Sequence, residues 1–81
     1  MINYTTNVRD WYATAYPTDE LGRDIRDGIT FDDVLTAIYQ GKDIYRTLGA
    51  VDSIVRERVF AALSEYSGLP YSRIYDLWLA S

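Results

Sequence analysis

The chain contains no cysteine and no histidine, only one lysine (Lys42) and only two prolines (Pro17 and Pro70). Without cysteine there is no disulfide framework and no thiolate chemistry. Without histidine the side chain that most often moves protons near neutral pH is missing, and with it the commonest nitrogen ligand for zinc. Catalysis would have to run on carboxylates, tyrosine, serine or Lys42, so the composition points away from an enzyme and calls for no cofactor or metal. No run approaches the roughly 20 apolar residues that a membrane-spanning helix needs. The first residues, Met1 to Asn7, lack a basic stretch followed by an apolar one, so no secretory signal is expected and the cytoplasm is the expected compartment.

What the chain does have is large apolar mass in a small length. At 81 residues there is room for one domain and one core, and 48% of residues are hydrophobic and 15% aromatic. Disordered chains lack such aromatic content, so a folded globule is expected. Charge is uneven along it. Between Asp10 and Asp33 seven acids face two arginines, a local net of −5 in a chain whose total is −4. Such a region repels phosphate and attracts basic surfaces.

The pattern reads as short helices separated by clear stops, with no sustained alternation and hence no sheet. Thr6 or Asn7 caps a first helix whose apolar face is Val8, Trp11, Tyr12 and Ala15; Pro17 ends it. Thr18 is expected to cap a second helix running to about Arg26, with Leu21 and Ile25 inward and Gly22 weakening it. Thr30 opens a third helix, in which Phe31, Val34, Leu35 and Ile38 follow the spacing of an amphipathic face and Asp32 and Asp33 complement the dipole. A single turn from Asp43 to Leu48 follows. Asp52 or Ser53 caps the longest helix, to about Ser67, with Val55, Val59, Ala62, Leu63 and Tyr66 on one stripe and Arg56, Glu57 and Glu65 outward. Gly68 stops it, and Pro70 suits the first turn of a last helix carrying Ile74, Leu77 and Trp78. The expected fold is all-α: one compact orthogonal bundle of five to six short helices spanning residues 1–81.

Two stretches have a chemical reading. Asp27 to Asp33 lacks the regular ligand ladder and closing glutamate of a calcium loop. A glycine stop followed by a threonine cap explains every residue in it. Leu63 to Trp78 resembles the helix-turn-helix corner of DNA-binding repressors, with Gly68, Ile74 and Leu77 at the matching spacing. That resemblance implies reading through Tyr71, Ser72, Arg73 and Tyr75. The same residues serve any tight helical corner, and a net charge of −4 with few free cations argues against phosphate neutralisation. DNA is therefore the less favoured partner.

The favoured partner is another protein with a basic surface. Tyr16, Asp19, Glu20, Asp24, Asp27, Asp32 and Asp33 would form an acidic-aromatic contact surface for it. A third reading is self-association, in which spare aromatics among Trp11, Tyr12, Tyr16, Tyr39, Tyr45, Tyr66, Tyr71, Tyr75 and Trp78 close a homodimer.

The segments Asp10-Trp-Tyr, Tyr16-Pro-Thr-Asp-Glu-Leu-Gly, Thr30-Phe-Asp-Asp-Val and Asp52-Ser-Ile-Val-Arg-Glu-Arg together resemble small uncharacterised proteins carried by phages and conjugative elements of gut bacteria. The resemblance implies a context only. Such proteins antagonise host defences or regulate transfer of the element, and no functional residue carries over.

Overall fold

The computed structural model describes residues 3–80 and is all-α, as the periodicity predicts. Helix α1 spans Val8–Ala15, a 3-10 helix spans Glu20–Asp24, and α2 spans Phe31–Tyr39. The single turn α3 covers Ile44–Leu48, α4 covers Ser53–Ser67 and α5 covers Tyr71–Leu79.

Side-chain caps set most of these starts. Asn7, not Thr6, accepts from the Asp10 amide. Thr30 and Asp33 satisfy each other's backbone amides in a capping box at α2. Asp43 and Asp52 accept from the amides two residues on, at the starts of α3 and α4. Gly68 ends α4 in the left-handed conformation expected of a glycine stop. Pro70 lies at the cap of α5 rather than inside its first turn, so that helix starts without a side-chain hydrogen bond.

The core gathers one face from every helix. Val8, Phe31, Val34, Ile44, Leu48, Val55, Val59, Phe60, Leu63 and Ile74 are fully buried, and Tyr12, Ile25 and Ile38 nearly so. Helix α5 packs on α4 and α2, α2 packs on α3, and α1 carries the 3-10 helix. An isolated bridge between Asn7 and Thr30 ties the start of α1 to the start of α2, with the Val8 amide donating to Ile29 at 2.8 Å.

Three expectations are corrected. The helix expected from Thr18 to Arg26 is a short 3-10 helix capped by Asp19, whose carboxylate accepts from the Leu21 amide at 2.8 Å. Ile25, which caps its end, is buried, whereas Leu21 within it faces outward, as does Ala15 of α1. Arg56 does not point outward: its side chain is 12% exposed, because Trp78 and Tyr45 cover it. The surplus of spare aromatics is also smaller than expected. Trp11, Tyr16, Tyr45, Tyr66, Tyr75 and Trp78 all pack against the core, many edge-on to one another, which leaves Tyr39 and Tyr71 exposed from the nominated set.

Candidate functional site

Helix α1 has two working faces. Val8, Trp11 and Tyr12 meet the core, while Arg9, Ala13 and Tyr16, spaced four and three apart, stand on an adjacent stripe. Pro17 then turns the chain so that the 3-10 helix runs back beside that stripe. A groove of about 470 Å³ lies between them, with Arg9, Tyr16, Asp19, Glu20 and Arg23 among its walls and Tyr12 and Gly22 at its base. Gly22 is buried hard against the Tyr12 ring. A β-carbon there would sit 2.4 Å from Cδ1 of that ring, so only glycine lets the 3-10 helix close this far.

One arginine from α4 holds the groove in shape. Arg58 donates to the Tyr12 hydroxyl oxygen at 2.6 Å and pairs with the Asp19 carboxylate. The Tyr12 hydroxyl donates in turn to Asp19 at 2.8 Å. The Arg58 guanidinium also lies over the Tyr16 ring, 4.2 Å from its centre, in cation–π contact. Asp19 is thus fully occupied, one oxygen capping the 3-10 helix and the other receiving Arg58 and Tyr12.

The Leu21 amide, the Tyr12 hydroxyl and Arg58 hold the Asp19 carboxyl below its ordinary value of 3.8. Burial pushes Tyr12 up, and its bond to Asp19 adds to that. A carboxyl lowered on folding contributes stability that is complete above the ordinary value and is lost as pH falls through the folded one. Denaturation followed from pH 6 to 2 should therefore show the wild type losing stability more steeply at the acid end than Asp19→Asn, which retains an oxygen for the Leu21 amide. Parallel curves would show that the Arg58 clasp contributes nothing at neutral pH.

The seven residues expected to bind a protein are distributed over two grooves and the chain between them. Tyr16, Asp19 and Glu20 share the α1 groove, where Arg58 engages the first two and Arg23 stands 3.4 Å from Glu20. Asp32 and Asp33 border a second groove between α2 and α3, and Asp33 is committed to the Thr30 amide at 3.0 Å. Asp24 and Asp27 lie exposed on the chain between the two grooves, and neither carboxylate makes a hydrogen bond or ion pair among the described residues. The residues missed from sequence are Arg9, Gly22, Arg23 and Arg58. The stripe of Arg9, Ala13 and Tyr16 was legible as a second helical face; nothing local marked Arg58.

Of the residues nominated for reading DNA, Tyr71, Ser72 and Arg73 are exposed, but Tyr75 is half-buried. Its ring stacks along Tyr71, with centres 6.2 Å apart, and meets Trp78 edge-on at 5.4 Å. Trp78 in turn covers the Arg56 guanidinium at 4.4 Å. Arg56 is taken up by this aromatic cover and Arg58 by Asp19, which leaves Arg73 as the exposed arginine of these three.

No helix among the described residues is long and apolar enough to cross a membrane. Compared with known proteins, the chain matches no family model, no curated protein and no solved structure.

Proposed function

We propose that this chain is a non-catalytic protein-binding module that takes a basic segment of its partner along the α1 groove and the acidic chain beside it. The observation that supports this is a division of labour among the carboxylates. Asp19 is engaged by Arg58 and Tyr12, whereas among the described residues the exposed Asp24 and Asp27 carboxylates make no hydrogen bond or ion pair, and the Glu20 carboxylate pairs with the exposed Arg23. Carboxylates that do nothing for their own fold are free to attract and orient a cationic partner. Tyr16, held flat by Arg58, offers a rigid ring beside them. On the resemblance to proteins of mobile elements, the partner would be a bacterial host protein, bound so as to antagonise a defence system.

Reversing Asp19 would break the Arg58 clasp and confuse loss of fold with loss of binding. Glu20→Lys, Asp24→Lys and Asp27→Lys together leave the clasp intact. A tagged chain used to capture partners from a bacterial lysate, with and without nuclease, should retain a protein in both samples. The triple variant should then bind that protein roughly tenfold more weakly, with a shallower salt dependence. Undiminished affinity would remove the acidic surface from consideration. Capture abolished by nuclease would favour the helix-turn-helix reading through Tyr71, Ser72, Arg73 and Tyr75.

A further inference from the structure

Paired cations account for three of the basic residues: Arg23 with Glu20, Arg56 with Glu57 and Arg58 with Asp19. Of the remaining five, Arg26, Lys42 and Arg46 border one open groove of about 530 Å³ between α2 and α3. None of these three makes an ion pair or a side-chain hydrogen bond within the described residues, although all are exposed and the chain carries a net negative charge. Lys42 and Arg46, with Asp43 and Thr47, also border a second depression of about 560 Å³.

The backbone brings the three together. The Arg26 amide donates to the Leu48 carbonyl at 2.7 Å, which pins the chain after the 3-10 helix against the end of α3. The Lys42 amide donates to the Ala37 carbonyl at 2.9 Å, which folds the turn after α2 back on its own last turn. The groove's walls set these three cations against the two carboxylates of Asp32 and Asp33, a local excess of one positive charge. Of the two carboxylates bordering the groove, Asp33 is occupied by the Thr30 amide, and Asp32 makes no ion pair with any of the three cations. Thr36, Gln40 and Thr47 add neutral donors to the same walls.

We propose that this groove binds a small molecule bearing a phosphate group, through Arg26, Lys42 and Arg46. Two guanidinium forks and an ammonium suit an anion of more than one charge with oxygens in several directions, which describes phosphate better than a single carboxylate. The hydroxyls and the amide can donate to its remaining oxygens. The groove is larger than one phosphate, and its free carboxylate, Asp32, suits a ligand that also carries hydroxyl donors, as sugar phosphates and nucleotides do. The proposal is independent of the acidic contact surface, since none of Glu20, Asp24 and Asp27 borders this groove.

The test is a titration of the full chain with sodium pyrophosphate at low ionic strength, followed by amide chemical shifts. Saturable shifts at Thr36, Gln40, Lys42 and Thr47 are expected, with a dissociation constant of about 1 mM or below. Lys42→Gln and Arg46→Gln should each weaken binding roughly tenfold, the loss of one charge-assisted contact. Arg73→Gln, at an exposed cation outside the groove, should leave it unchanged. Because all these side chains are exposed, thermal melts of the variants should match the wild type and exclude unfolding as the cause. Absence of saturation would overturn the proposal, as would shifts spread equally over Arg9 and Arg73. An equal loss in Arg73→Gln would reduce the effect to general charge attraction. Tighter binding of a short duplex DNA than of pyrophosphate would assign the groove to nucleic acid instead.

Discussion

Gly49→Ala should cost about 3 to 5 kcal/mol and bring the chain close to unfolding. Gly49 has φ +114° and ψ 168°, a region essentially reserved for glycine, and an alanine there carries a strain of about 1 to 3 kcal/mol. The larger difficulty is the neighbour. A β-carbon would lie 2.3 Å from the Asp24 carbonyl oxygen and 3.1 Å from the Arg26 amide nitrogen. Those are backbone atoms, so no rotamer change relieves the contact, and separation would break the Arg26–Leu48 hydrogen bond at a further cost of about 1 kcal/mol. A domain of this size has a total stability of about 4 to 12 kcal/mol, so the loss is a large fraction of it. Gly28→Ala provides the comparison. Its φ is also positive, at +82°, but nothing stands within 4 Å of its β-carbon position, and about 1 kcal/mol is expected. Urea denaturation of both variants, followed by circular dichroism, separates the contact from the dihedral. Equal losses would show that the junction of α3 with the 3-10 helix is looser than its geometry implies.

Gly22→Ala is expected to destabilise by about 1 to 3 kcal/mol, against the direction that helix propensity alone indicates. Propensity favours alanine over glycine in a helix by about 1 kcal/mol. Packing opposes it: the added carbon would meet Tyr12 Cδ1 at 2.4 Å and Cε1 at 2.8 Å. The ring has nowhere to go. It is 1% exposed, and its hydroxyl is held by both Arg58 and Asp19. Overpacking of a fixed core ring costs about 1 to 3 kcal/mol, so it outweighs propensity. The 3-10 helix would be forced outward and the groove between it and α1 would lose its base. The variant should therefore show a lower urea midpoint together with altered chemical shifts at Arg9, Tyr16 and Arg23. A stabilised variant would mean that the 3-10 helix is free to move and that the groove is not a preformed site.

Much of the local structure was legible because local structure depends on near neighbours. The capping box at Thr30 and Asp33, the left-handed stop at Gly68, the helical repeat of Phe31, Val34, Leu35 and Ile38, and the inward Ile74 all follow from backbone preferences and contacts three or four residues apart. The same signals identified the tyrosine and carboxylates beside Pro17 as a chemically distinct stretch. They misjudged the segment from Thr18 to Arg26, because Gly22 there, besides weakening a helix, packs against Tyr12, which lies on another element.

The sequence by itself determined that this is a small all-α chain with an acidic first half and no histidine or cysteine chemistry. The tertiary structure alone decided which of its charges are spent and which are free. Arg58 lies 39 residues from Asp19, and only the tertiary fold brings it from α4 onto that carboxylate and over the Tyr16 ring. Arg26, Lys42 and Arg46 come from three separate segments, and the docking of α3 beside α2 places them around one groove. Charge in a sequence is a sum over neighbours along the chain. Charge at a binding surface is a sum over neighbours in space, and helix packing, driven by the apolar faces, sets those neighbours without regard to the sign of what they carry.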